Sequence, residues 1–227
     1  MQRAFYQQLL DRTRVERERF LAIGIIQRAL RGDVDRSLYL RYLEQAYHHV
    51  RHTCPLLGAA LSRCAPTDAR LRDALLAYIE EERGHEAWIA DDIAALGGDV
   101  ARLAASDGSP PVRVMVGYAY YLVDRVSPYA LLGMVHVLEG LSVHLADAVA
   151  NALGHKLGGG GDAGFSYLRS HGSLDQSHVR FFAELVDGIE DARAREAVVD
   201  AAAVMYGLFG DVFRWLEDTA GEARDAA

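Results

Sequence analysis

Leu71, Leu75, Tyr78, Glu82, His85, Ile89, Ile93 and Leu96 recur every three or four positions. That is the spacing of one buried helical face. Two of these positions are ionisable. An unpaired carboxylate in an apolar interior is costly, so Glu82 needs a partner, a proton or a metal. The chain must fold so that this helix buries its stripe and still satisfies Glu82 and His85. The neighbours Glu80, Glu81, Arg83 and Glu86 read as a solvated face.

Two further segments repeat the pattern. Leu132, Val135, Glu139, Ser142, Ala146 and Val149 form a stripe with Glu139 at its centre. Asp175, His178, Phe182, Leu185 and Ile189 form another, with His171 one turn earlier. His171, Asp175 and His178 stand at i, i+4 and i+7, which stacks them on one face of a helix. Glu82-Arg-Gly-His85 is a Glu-x-x-His pair on one helical face, the unit with which helical bundles hold paired metals. Three helices thus aim ionisable groups at an apolar interior.

The periodicity predicts an all-α chain of seven helices in one domain over 1–220. The first covers residues 3 to 31 and stops at Gly32. The second starts from an Asp33 or Asp35 cap and runs to about Arg63, bent or shortened by Pro55. Thr67 caps a third, which ends near Gly97-Gly98. The loop Ser106–Pro111 leads to a fourth, ending near Val126. Ser127-Pro128 opens a fifth, to about Leu157, followed by a flexible break at Gly158–Gly161. The sixth carries His171, Asp175 and His178, and the seventh runs from about Arg193 to Glu217. Residues 221–227 are expected to fray.

Composition narrows the function classes. The net charge is -8 and no basic cluster stands out, which argues against nucleic-acid binding. The N-terminus has no apolar signal core, and no uninterrupted apolar stretch reads as a membrane span. Two cysteines, Cys54 and Cys64, are too few for a disulfide framework or a thiolate zinc site. A cytoplasmic protein is the expectation, with self-association as a homodimer open to amphipathic helices.

The ligand types point to particular metals. Imidazole and carboxylate without thiolate suit iron or manganese, whereas zinc is usually four-coordinate and needs fewer groups. Glu82, His85, Glu139, His171, Asp175 and His178 would serve two ions, iron in both or iron with manganese. The division of the six between the two ions is open.

Glu82-Arg-Gly-His85, the isolated Glu139 and His171-x3-Asp175-x2-His178 resemble, in order and interval, the ligand set of haem-oxygenase-like di-iron oxidases and oxygenases. The resemblance spans roughly residues 40 to 215. It implies a single seven-helix haem-oxygenase-like bundle, a site of three His and three carboxylates, and use of O2 to oxidise a small organic substrate, one that a carboxylate could mark. Members share ligands and differ widely in chemistry, so the substrate does not follow.

Other readings of the same fold stay open. Thiaminase-II-like proteins are hydrolases with a Cys nucleophile, and pyrroloquinoline-quinone synthase works without metal. Cys54 and Cys64 have no motif around them and read as small core residues. A non-catalytic haem- or metal-binding module would draw on His48, His49 or His52. Leu40, Leu43, Tyr47, Val50, Cys54 and Leu57 read as the buried side of that helix. The three His lie off that line. With Glu44 they are candidates for a supporting role beside the metal ligands.

Overall fold

The apolar stripes become helices in the computed structural model, and no strand forms among the described residues. The structure describes the backbone of residues 3–157, 163–173 and 175–225, with side chains at 3–154, 156–157, 163–170 and 178–220. The helices are α1 Phe5–Arg12, α2 Arg14–Leu21, α3 Gly24–Leu30, α4 Arg36–Val50, α5 Thr53–Leu61, α6 Ala69–Glu82 and α7 His85–Ala95. There follow α8 Val100–Ala104, α9 Pro110–Tyr121, α10 Leu131–Leu157, α11 Ser166–Ser173, α12 Asp175–Asp187 and α13 Ala192–Asp225.

The all-α expectation holds, but the segments are shorter than the seven predicted. The first predicted helix is three: Thr13 and the Ala22–Ile23 pair interrupt it. The Thr13 hydroxyl turns back to donate to the Leu9 carbonyl at 2.8 Å. The second divides at Arg51–His52, which places Pro55 in the first turn of α5. There its missing N–H leaves no bond unmade. Asp35 does cap α4, accepting from the Leu38 N–H at 2.8 Å. Thr67 is not the cap expected of it; α6 begins at Ala69, with Asp68 at the cap position. A π-turn, Leu122–Val126, and a 3-10 turn, Pro128–Ala130, join α9 to α10. The Gly158–Gly161 break lies outside the described residues. The backbone expected to fray from Gly221 is helical as far as Asp225.

α10 is the central helix. It packs on α11 and α13, with α3, α5 and α12 around it. At Gly133 the crossing with α13 is so close that a Cβ would lie 2.6 Å from the Val198 carbonyl oxygen. Glycine lets these backbones approach where any side chain would push them apart. No stretch read as a membrane span in the sequence, yet Pro128–Gly154 is long and apolar enough by length and composition. Its buried residues, among them Leu132, Val137, Leu141 and Ala150, belong to the main core. A helix surrounded by other helices is apolar on most of its circumference.

Candidate metal centre

Glu82 is the last residue of α6 and His85 the first of α7. Between them Arg83 is extended and Gly84 is left-handed, with φ of 94°. The Glu-x-x-His pair therefore spans a kink and does not lie on one continuous helical face as expected. The kink still brings the pair together: His85 Nδ1 is 3.1 Å from Glu82 Oε2. The His85 side chain is buried and stacks on Trp88 with ring centroids 4.2 Å apart. Gly84 makes this possible, because a left-handed residue with a Cβ is strained.

Glu139 enters from α10. It and Glu82 line one cavity of about 80 Å³, whose walls also include His49, Tyr78, Ser142 and Tyr167. Glu139 lies deep in the protein but is only half-buried by contact, because part of its surface faces this cavity. Burial pushes its pKa well above the ordinary carboxylate range, and the negative charges of Glu82 and Glu81 add to the shift. No Arg or Lys is among the described residues that line the cavity. The Tyr78 hydroxyl is buried and has no hydrogen-bond partner among the described residues. Burial raises its pKa, with Glu139, Glu81 and Glu82 adding to it. It therefore keeps its proton.

The third predicted stripe falls partly outside the described residues. α11 carries His171 and α12 carries Asp175 and His178. The side chains of His171 and Asp175 lie outside the described residues. His178 is described: its Nε2 lies 3.6 Å from Glu81 Oε2. Glu81, read in the sequence as part of a solvated face, is thus an addition to the site, with its side chain 43% exposed. Among the described residues no three His, Cys, Asp or Glu side chains gather as an ion requires. The structure shows two pairs, Glu82–His85 and Glu81–His178, with Glu139 behind the first.

The histidines of α4 separate. His48 and His49 are buried, against the expectation that both lie off the buried side. His48 Nε2 faces the Ser106 hydroxyl at 2.8 Å. His49 lines the carboxylate cavity and meets Phe209 edge-on. His52 Nδ1 is 3.3 Å from the Tyr120 hydroxyl. Burial lowers the pKa of both His48 and His52, and the Arg51 charge lowers them further. Of the supporting candidates only His49 borders the cavity; Glu44 and His52 do not.

Both cysteine thiols face backbone carbonyls. The Cys54 thiol points at the Ile79 carbonyl, 3.8 Å away, and the Cys64 thiol at the Ala60 carbonyl, 3.4 Å away. Burial pushes both thiols up. A nucleophilic cysteine needs the opposite shift.

The residues fit a cationic metal. Two interior acids on one cavity, an imidazole against one of them and a protonated hydroxyl form a donor set rich in hard oxygen and borderline nitrogen.

The comparisons agree on the fold. A domain of unknown function with a haem-oxygenase-like fold from Shewanella denitrificans superposes with a TM-score of 0.88, at 18% identity, covering 98% of this chain and 96% of that one. A TenA homologue from Pseudomonas syringae gives 0.81 at 13% identity, over 95% and 93% of the two chains. Haem oxygenase-1 from the cyanobacterium Synechocystis, in complex with haem, gives 0.74 at 14% identity, over 99% and 97%. The protein therefore has the haem-oxygenase-like fold. The chain has no match among the curated proteins. A family model described as iron-containing redox enzyme matches residues 40–210. The chain belongs to that family.

Proposed function

We propose that this protein is a non-haem di-iron oxidoreductase that uses O2 to oxidise a small organic molecule. Glu82, His85, Glu139, His171, Asp175 and His178 would hold the two irons, or iron with manganese, and Glu81 stands close enough to His178 to join them. The observation that carries this reading is that Glu82, with His85 against it, and Glu139 line one interior cavity. Two carboxylates on one interior cavity repel each other, and a divalent ion bound there would relieve that repulsion.

Bound iron supplies the capacity to activate O2, which no side chain here provides. The chain supplies the rest. Glu82 and His85 are set across the Gly84 kink as a preformed pair. Trp88 stacks on the His85 ring and limits its rotation. Tyr78 keeps a proton on its hydroxyl at the cavity wall and can donate it as a hydrogen bond to a bound ligand. Leu56, Leu57, Leu131 and Met134 line the same cavity, exclude water, and strengthen each electrostatic contact within it. Both thiols face backbone carbonyls and are held toward the protonated form, which disfavours a hydrolase with a cysteine nucleophile.

The test is an anaerobic Fe(II) titration followed by O2, with optical and Mössbauer detection, on wild type and on His178→Ala. The expected result is about two irons per chain, as paired-metal bundles bind, and an O2-dependent signal that is lost in the variant. Wild-type protein that binds no iron specifically sinks the reading.

A further inference from the structure

A second cavity, of about 100 Å³, adjoins the carboxylate cavity. Leu138, Ser142 and Tyr167 line both. The second cavity runs between α3, α4, α10 and α13, with Phe20, Ile26, Leu145 and Phe213 among its walls. None of the described residues that line it is charged. Of its few polar groups, the Tyr39 hydroxyl donates to the Gly164 carbonyl at 3.0 Å and the Ser142 hydroxyl to the Leu138 carbonyl at 2.9 Å. A water needs roughly 10–15 Å³ of such space and two to four polar partners. The cavity has room for several waters and few partners for them. It suits a hydrocarbon chain.

We propose that the two cavities receive one elongated amphiphile. Its apolar tail lies in the second cavity, between Phe20, Leu145 and Phe213. Its head passes Ser142 and lies beside Glu82 and Glu139. The assignment of the head as the end that is oxidised rests on the di-iron reading; the tail site does not. An anionic head beside Glu82 and Glu139 meets like charge, so the bare protein holds a neutral head better than an anionic one, and a bound cation reverses that preference.

Calorimetric titration of the metal-free chain with 1-butanol, 1-hexanol, 1-octanol and 1-decanol tests the tail site. Affinity is expected to rise roughly three- to fourfold per methylene until the cavity is full. Ala146→Phe fills the cavity from α10 and Ser142→Leu blocks the passage. Each is expected to weaken 1-decanol by about tenfold or more, the loss of about two buried methylenes, with circular dichroism and melting temperature showing that the variant is folded. Should one variant fail to fold, the other carries the test. Affinity that does not grow with chain length, or that is unchanged in a folded plugged variant, overturns the tail site. Decanoate is the probe of the head. It is expected to bind the bare chain more weakly than 1-decanol and to gain affinity when Fe(II) is added anaerobically. Decanoate binding to the bare chain as tightly as 1-decanol overturns the placement of the head beside Glu82 and Glu139. Because the alcohol series needs no metal, its failure is distinct from a failure of iron binding.

Discussion

Asp92 of α7 caps the helix that begins at Ser166: its Oδ1 accepts from the Ser166 N–H at 3.0 Å and from the Ser166 hydroxyl at 2.9 Å. Its Oδ2 accepts from the Tyr167 N–H at 2.9 Å. One buried carboxylate thus ties α7, which starts with His85, to α11, which carries His171. It acts as the N-cap of a helix from which it is distant in sequence, and it suits the positive end of that helix. The partial charges of three donors stabilise a buried acid that would otherwise be costly.

Asp92→Ala is expected to destabilise the protein by about 2–4 kcal/mol, because it removes a cap and leaves buried donors without an acceptor. Asp92→Asn is expected to fall between, since its amide can accept from Ser166 but turns a donor toward the Tyr167 N–H. Urea denaturation of the three proteins checks the order. Iron affinity is expected to fall with it, because α11 loses its tie to α7.

Gly84→Ala is expected to cost about 1–2 kcal/mol, the strain of a left-handed alanine. An added Cβ would meet no atom within 4 Å, so the loss is one of backbone conformation and not of space. The chain can relieve it only by straightening the kink, which moves His85 away from Glu82. Because Trp88 stacks on His85, its fluorescence emission is expected to shift together with the fall in melting temperature. A variant as stable as wild type with unchanged emission would show that the kink does not depend on this glycine.

Glu139 has a folded-state pKa above its unfolded value. A raised acid favours the fold at low pH, and that contribution is lost as pH rises through the folded pKa. The metal-free protein is therefore expected to lose stability from the ordinary carboxylate range upward. Glu139→Gln is expected to flatten that dependence and to raise the melting temperature of the metal-free chain at pH 8 by roughly 2–4 °C per kcal/mol relieved. The same variant is expected to bind iron more weakly. Melting curves at pH 5 and pH 8, with and without Fe(II), read both effects; a variant less stable than wild type at pH 8 without metal would contradict them.

His136 is buried among Tyr6, Phe182 and Tyr206. Burial, with the Arg17 charge adding to it, lowers its pKa from 6.5 to about 4. A depressed base contributes stability above its unfolded pKa, and that contribution is lost as pH falls through the interval between the two values. The shift corresponds to about 3 kcal/mol lost on acidification. His136→Phe keeps the ring packing and removes the titration. Its stability is expected to fall less than that of wild type between about pH 6.5 and pH 4, as equilibrium denaturation at both ends would show.

The inward direction of three candidate ligands was readable from two of the stripes. Glu82, His85 and Glu139 each occupied a position that helical periodicity turns inward, and the structure puts Glu82 and Glu139 on one cavity wall with His85 against Glu82. The kink was less visible. Glu82 to His85 reads as less than one turn of helix, and only the left-handed Gly84 reveals that the turn is broken. Glu81 is exposed as its place on a solvated face predicts, and its approach to His178 depends on where α12 packs. His48 and His49 were placed off the buried side, because the stripe was drawn as narrower than the surface that α4 buries.

What the sequence determined by itself is direction around each helix axis. The three- to four-residue period is a local property, and it sufficed to make the chain all-α and to aim acids and imidazoles at its interior. Distances between helices are not local. That Asp92 would cap α11, that His178 would stand by Glu81, that His49 and not His52 would border the cavity, and that Glu82 and Glu139 would share it were decided by how α4, α6, α7, α10, α11 and α12 pack. Each contact joins residues far apart in the chain, and its energy exists only once the bundle has closed around α10.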